Sequence, residues 1–460
     1  MRVHALPTAL LTLICAGVWV FCRTAPPGRD PVLGIAALVL AGVAWMLALW
    51  QSPGRWKGAL GWILVGALLV RAPALAFDPS TSDDVQRYVW EGGLVLLGKS
   101  PYAAAPDDPA RAEERARWPE RHALINHPQV SAAYPPVAQL AFALGLWSSG
   151  GDVESPAAVR GQRWLFALCD LGVLLPLAWL VRRRGASPWY LLGWAWSPLV
   201  AVEYAGAGHF DSLGILLLIA ALALAPRPEG QEGRGGREGR EGRERMARVS
   251  MAALALAAGV LVKLLPVAAL PYLSRERARP LAFVGAVLLA GLLIVVPFFL
   301  WIGGVQGVGA GLGEYGLRWE STSLLFRWIE GPLGAVLEQD GGWGDPRRLA
   351  RLFIGALWLG VLAWAWRKRL DACAATGLAI GTFLVLAPTL HPWYLTWLLP
   401  FQALYRWRSW TWLFTLAPLF YAPLYGWQQQ QVWEEPGWLW PLVALPFLVL
   451  LALDLRARLR

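Results

Sequence analysis

The sequence predicts an all-α, polytopic membrane bundle of about 13 helices, with short helices lying along its outer face. Three observations carry that prediction. Of 460 residues, 57% are hydrophobic and 16% are charged, where soluble domains carry about 25% charged residues. The apolar residues gather into continuous Leu/Ala-rich blocks, among them 32–50, 60–75, 164–181, 281–301 and 438–453. Each is about long enough to carry a helix across a hydrocarbon core of ~30 Å. The 29 tryptophans fall in many cases at block ends, where an interfacial aromatic belt would place them. The blocks lack the alternation of a membrane barrel.

Taken in order, residues 5–22, 32–50 and 58–76 make three crossings. The first has no small-x-small cleavage site and reads as a membrane helix rather than a leader. Short basic clusters mark the inner side: Arg55/Lys57, Arg182–Arg184, Arg275–Arg279, Arg367–Arg369, Arg406/Arg408 and Arg456–Arg460. The loop 77–132 mixes acids with bases and belongs outside. Residues 162–181 must then run inward to Arg182, so 134–147, which opens on Pro135-Pro136, lies on or dips into the outer face. Crossings follow at 188–204 and 209–225. The stretch 226–248, containing GQEGRGGREGREGRER, reads as a disordered inner connector. Residues 249–273 have basic loops on both sides. They enter and leave by one face, breaking near Lys263 or Pro266; such half-helices around a charge line cavities. The remaining crossings are 281–302, 348–366, 371–388, 393–405, 409–425 and 437–455, with 303–347 as an outer loop.

The net charge of +10 is explained by these inner loops. No basic groove or domain exists to hold nucleic acid. The four cysteines (Cys15, Cys22, Cys169, Cys373) show neither metal-ligand spacing nor a disulfide framework. No Walker, HExxH or Gly-x-Ser-x-Gly motif occurs, which excludes those ATPase, zinc-protease and hydrolase chemistries.

One face gathers the polar residues that look purposeful. Ser82-Asp83-Asp84-Val85-Gln86-Arg87-Tyr88 follows the third crossing. Ser82 can cap a short helix whose first turn holds both aspartates. Those aspartates either serve only that helix end or act as general base or metal ligand. Gly98-Lys99-Ser100-Pro101-Tyr102 and Pro106-Asp107-Asp108-Pro109 carry turn signals. Asn126-His127-Pro128 leads through extended X-Pro steps to Tyr134-Pro135-Pro136. Glu203, His209 and Asp211 stand within nine residues of a Gly-containing link between apolar blocks, a costly grouping unless used or paired. Asp170, mid-block, reads as a group that pairs internally. Lys263 at its break either binds a phosphate or snorkels. His391-Pro392-Trp393-Tyr394 opens a helix as either a site element or an aromatic anchor.

Together, the acidic motif, G-x-S-P-Y, Tyr134-Pro135-Pro136, the G-H-x-D loop, the K-x-x-P break and H-P-W-Y resemble the polytopic GT-C glycosyltransferases. The likeness is to mannosyltransferase-like members that use polyprenyl-phosphate sugars. Residues 98–102 with 133–138 are similar to the catalytic subunit of the first mannosyltransferase of GPI-anchor assembly, and S-D-D-x-x-R-Y to its bacterial relatives. The resemblance spans about 58–405. It implies a catalytic core at 58–302, an outer loop at 303–347 and C-terminal membrane helices at 348–460, with 1–57 as two added helices.

The activity it implies is an inverting transfer of a hexose, mannose by the likeness, from a polyprenyl-phosphate sugar to a lipid-linked or glycan hydroxyl. Transfer would occur on the periplasmic side of a bacterial inner membrane. Asp84, with Asp83, would supply the base. Arg87, Tyr88, Tyr102, His127, Tyr134, Glu203, His209, Asp211, Lys263 and His391 would bind substrate, Lys263 offsetting the phosphate of the leaving lipid. A divalent cation (Mg or Mn) is the one cofactor the resemblance allows. The acids here are adjacent rather than spaced as D-x-D, so metal dependence stays open. The competing classes are a glycan ligase or polymerase, which would use a similar outer site, and a transporter, which would place polar groups mid-membrane.

Overall fold

The computed structural model describes residues 5–26, 29–51, 58–79, 81–225, 238–277, 279–335, 345–430, 432 and 434–459. Arg55, Lys57, Arg460 and residues 226–237 of the expected connector lie outside the described residues. The long helices are α1 (Ala5–Thr24), α2 (Pro31–Trp50), α3 (Ala59–Ala76), α4 (Asp84–Leu96), α5 (Pro136–Ser148), α6 (Pro156–Arg183), α7 (Asp211–Ala223), α8 (Glu238–Val260), α9 (Pro280–Trp301), α10 (Pro346–Arg367), α11 (Ala372–Leu386) and α12 (Leu445–Leu459). Their starts obey local chemistry. Asp30, Ser155 and Asp345 accept the N–H groups of Leu33, Ala157 and Arg347 at 3.0, 3.1 and 2.8 Å. A proline follows each cap, where its missing N–H costs nothing.

Among the described residues, seven helices are long and apolar enough to cross a membrane: those at 6–24, 31–50, 59–76, 156–183, 280–301, 346–367 and 440–457. An eighth crossing forms if the pair Pro198–Gly206 and Asp211–Ala223, bent by 120°, is one broken span. The outward faces confirm the apolar solvent: on α9, Leu281 is 86% exposed and Leu300 78%. A water-soluble chain would not leave such a contiguous surface bare. The protein is a multi-pass membrane protein.

Several expectations are corrected. The count of about 13 is not confirmed among the described residues. Residues 188–204, 393–405 and 409–425 are chains of short helical pieces, with Pro188, Pro198 and Pro392 opening a piece and Pro400 and Pro418 standing second in one. Proline removes the backbone donor and restricts the residue before it, so apolar length there does not yield a straight helix. The expected crossing 371–388 is α11, only 15 residues long. Residues 238–248, expected as disordered connector, are the first turns of α8. A helix nucleated by the packed apolar half propagates cheaply, and Glu241 and Glu244 alternate with Arg245 and Arg248 at i, i+4 spacing that favours extension. The cap of α4 is Asp83 rather than Ser82, although the Ser82 hydroxyl does accept the Asp84 N–H at 3.2 Å.

The break after α8 is where expected. Helical structure stops at Val260 and resumes at Leu265. The freed Leu261 carbonyl accepts N–H groups of Val137 and Ala138 from the first turn of α5, at 2.9 and 3.4 Å. One helix end thus satisfies the other, and Tyr134 is brought to the break that carries Lys263. The segment Ala201–Gly206 widens into a π-helical turn, a distortion common where side chains must be re-aimed. The segment around Ser321 is pinned over this region. Ser321 N–H donates to the Pro388 carbonyl and Leu390 N–H to the Ser321 carbonyl, at 3.1 and 2.9 Å.

Candidate active site

Five segments converge: the start of α4, the 126–134 stretch, the bend between Pro198–Gly206 and α7, the α8 break, and 391–397. Asn126 Nδ2 donates to Asp83 Oδ1 at 2.5 Å and to Asp84 Oδ1 at 3.0 Å. One amide therefore holds both carboxylates. Asp84 Oδ2 lies 4.0 Å from His209 Nδ1, and the Tyr88 hydroxyl is 3.4 Å from the same nitrogen. On the other side of the ring, His209 Nε2 faces Glu203 Oε2 at 3.4 Å. Glu203 Oε1 accepts the Tyr421 hydroxyl. His209, Trp393 and His391 stack, with ring centroids 4.0 and 4.3 Å apart.

Lys263 forms the opposite wall. Its Nζ donates to Asp211 Oδ1 at 2.6 Å, an oxygen that also accepts Trp397 Nε1 at 2.6 Å. The ammonium lies 4.1 Å from the Tyr394 ring centroid, a cation–π contact. Tyr394 and Tyr315 share a hydrogen bond of 2.5 Å. Asp84, Lys263, His391, Trp393, Tyr394, Tyr134 and Tyr315 remain partly exposed, whereas Glu203, His209, Asp211 and Tyr88 are buried behind them. The site thus has an accessible aromatic floor and a buried ionisable backing.

The electrostatics single out Asp84. Its side chain is 22% exposed but sits in a recess. Desolvation there, reinforced by the Asp83 carboxylate, pushes its carboxyl up to about 6; Asn126, Arg87 and Lys263 oppose the shift. Asp83 is raised as well, by desolvation, with Asn126 pulling it back. A carboxylate with its proton affinity brought toward neutrality, open to a substrate, suits general-base work. Three buried atoms of the backing, Glu203 Oε2, His209 Nε2 and Asp211 Oδ2, have no hydrogen-bond partner among the described residues. Buried polar atoms are rarely left so outside functional sites.

The expected residues separate into two groups. Asp83, Asp84, Tyr88, Tyr134, Glu203, His209, Asp211, Lys263 and His391 come together. Arg87 does not face the opening: it clamps the 127–130 turn, donating to the His127 carbonyl at 2.9 Å and to Val130 at 3.0 and 2.9 Å, and pairs with Glu91 at 3.3 Å. Tyr102 is buried and donates to the Tyr134 carbonyl at 2.8 Å, positioning that loop. His127 stands at the exposed rim with φ +47°, edge-on to Trp319 at 4.7 Å. Glu203 lies behind His209 rather than toward the opening. Asn126 and Trp393 belong to quoted motifs whose chemistry went unassigned. Tyr421 and Trp397 sit in apolar stretches and give no sequence signal. Among the described residues, no three His, Cys, Asp or Glu side chains are grouped to hold a metal ion; Asp83 and Asp84 offer two carboxylates.

Residues 24–279 match the N-terminal domain described as Alpha-(1->6)-mannopyranosyltransferase, and residues 346–419 match the MptB C-terminal domain. The chain is 28% identical over 389 residues to Alpha-(1->6)-mannopyranosyltransferase A of Mycobacterium tuberculosis, covering 78% of this chain and 69% of that protein. Among solved structures it is similar to ArnT from Cupriavidus metallidurans, bound to undecaprenyl phosphate and in the apo state. The identity is 17%, with TM-scores of 0.45 and 0.44. Those alignments cover 79% of this chain, which spans 60% of the length of the ArnT structures.

Proposed function

The chain belongs to the alpha-(1->6)-mannopyranosyltransferase family of glycosyltransferases, and from that premise we propose that it transfers mannose from a polyprenyl-phosphate sugar to an acceptor hydroxyl at the outer face. The acceptor is lipid-linked or a glycan, and the membrane a bacterial inner membrane. The observation that carries the reading is the accessible, recessed Asp84 carboxylate facing a site whose opposite wall is the Lys263 cation, with aromatic rings between.

The reaction is a single inverting displacement. Asp84 takes the proton of the acceptor hydroxyl as that oxygen attacks the anomeric carbon. The bond from that carbon to the phosphate oxygen breaks on the opposite side, and the lipid phosphate departs with the electron pair. Lys263, oriented by Asp211 and Trp397, offsets the charge that develops on it, a contribution of several kcal/mol in such sites. Tyr134, Trp393 and Tyr394 supply apolar ring faces for the sugar. The His209–Glu203 pair, 3.4 Å apart at Nε2 and Oε2, is the buried support for the Asp84 recess: it presents the imidazole edge beside Asp84 and Tyr88. A divalent cation, if it is used, would sit on Asp83 and Asp84 and offset phosphate charge; oxygens from the substrate would have to complete its shell.

The test is donor choice. Proteoliposomes containing the protein are given radiolabelled mannose as the polyprenyl-phosphate sugar or as the nucleotide sugar, with a lipid-extracted acceptor pool. The reading expects label in glycan from the lipid donor alone. Transfer from the nucleotide sugar in the absence of polyprenyl phosphate would overturn it.

A further inference from the structure

Downstream of the break that carries Lys263, the turn between the short helix Leu270–Arg275 and α9 holds a guanidinium that makes no hydrogen bond among the described residues. Arg277 is buried, 9% exposed. Its Nε, Nη1 and Nη2 all lack a hydrogen-bond partner among the described residues. Its neighbour two residues earlier shows the ordinary alternative: Arg275 donates to the Trp366 carbonyl at 2.8 Å and to the Leu370 carbonyl. A buried cation with three vacant donors carries a full desolvation cost.

The surroundings add positive charge. The Arg277 guanidinium lies 4.7 Å from the ring centroid of Phe283, in the first turn of α9. That 22-residue helix has no acidic residue in its first turn and no side-chain cap, so its N-terminal N–H groups and the positive end of its dipole are uncompensated. Arg245 of α8 is close enough to act on Arg277 electrostatically. Burial first, and Arg245 with it, pull Arg277 down to about 10; Glu276 opposes. Glu276 is itself engaged, accepting the Ala372 N–H at 2.8 Å. The guanidinium and the first turn of α9 thus meet, with a second arginine within electrostatic reach, and the partner that all three fit is an anion of phosphate type. A planar guanidinium binds phosphate through two parallel N–H groups, and helix N-termini do so through their backbone.

We infer that Arg277, Arg245 and the α9 N-terminus form a phosphate-binding site separate from the transfer site. Its ligand is the headgroup phosphate of an anionic phospholipid or free phosphate. The position among the basic loops 275–279 and 367–369, which collect on one side of the bundle by charge, suits a lipid headgroup. Occupancy would wedge α8 against α9 and brace the helix that leads into the Lys263 break.

The experiment uses the full chain in detergent and measures the thermal unfolding midpoint with dioleoylphosphatidylglycerol, dioleoylphosphatidylcholine or inorganic phosphate added, for wild type, Arg277→Met and Arg245→Gln. The site predicts a reversal. Wild type gains several degrees with phosphatidylglycerol and none with phosphatidylcholine. Arg277→Met equals or exceeds wild type in phosphatidylcholine, having lost an unpaired cation, and gains nothing from phosphatidylglycerol. Arg245→Gln shows a reduced gain, and it carries the test if Arg277→Met does not fold. Equal gains from inorganic phosphate identify free phosphate as the ligand and keep the site. A gain from phosphatidylglycerol that is undiminished in either folded variant overturns the inference. So does Arg277→Met that is folded but less stable than wild type in every condition, which would make Arg277 a structural cation.

Discussion

Two of the clusters of buried charge in this membrane bundle are built in opposite ways. Between α3 and α6, Arg71 and Asp170 are both buried and pair through two parallel hydrogen bonds of 2.6 and 2.7 Å. The remaining Arg71 nitrogen donates to the Ala67 and Ala195 carbonyls at 2.9 and 2.6 Å. Each carboxylate oxygen has its donor. Around the α7 bend the ingredients are similar, acids with a base, but Glu203 Oε2, His209 Nε2 and Asp211 Oδ2 make no hydrogen bond among the described residues, the first two only facing each other at 3.4 Å, and Asp84 and Lys263 reach the opening. Burial of charge does not distinguish them; saturation does. A pair that consumes all of its own hydrogen bonds holds helices together. A cluster that keeps spare donors and acceptors has chemistry left for a ligand.

That contrast can be broken in order of effect. Arg71→Met strands the Asp170 carboxylate in an apolar interior, and removing one partner of a buried pair costs about 3–5 kcal/mol. Thermal unfolding should show a large loss, most of it recovered in the double variant Arg71→Met/Asp170→Leu. A single variant as stable as wild type would mean that the pair is not structural. Lys263→Gln should do the reverse. It costs less stability than Arg71→Met, because Lys263 is partly exposed and the Gln amide can still donate to the buried Asp211, while turnover falls by about 10²–10³-fold, the cost of removing one group that stabilises developing charge. Steady-state kinetics should place the loss in kcat; a loss confined to KM would make Lys263 a ground-state contact. Tyr102→Phe is the smallest change. It removes one hydrogen bond to the Tyr134 carbonyl, about 1 kcal/mol of stability, and leaves kcat close to wild type.

The sequence reading recovered what depends on apolar length and on charge between blocks. Residues 5–24, 31–50, 59–76 and 156–183 are helices because their apolar runs are long and unbroken by charged loops, Pro73 and Pro176 being accommodated inside two of them, and the α8 break follows from a lysine in an apolar run flanked by basic loops. It failed where proline divides an apolar stretch, as at Pro198 and Pro400, since mean hydropathy does not register a broken helix. It failed again at 238–248, where composition suggests a linker but an adjoining packed helix propagates. The ionisable residues of the site were visible because charge between apolar blocks needs a reason. Their partners were not. Tyr421 meets Glu203 across 218 residues, and Arg71, alone in its block, meets Asp170 across 99. No local pattern encodes such distances.

The central claim is that Asp84 is the base, and one measurement addresses it most directly: initial rates of mannose transfer from the polyprenyl-phosphate donor, from pH 5 to 8, for wild type, Asp84→Asn and Asp83→Asn in proteoliposomes of equal protein content. The base must be ionised to act, and burial raises its proton affinity, so the wild-type rate should fall as pH drops through about 6. Asp84→Asn should lose about 10²–10⁴-fold together with that acidic limb, while Asp83→Asn keeps the greater part of the rate. An Asp84→Asn protein that transfers mannose at the wild-type rate, with the same pH profile, would contradict the account.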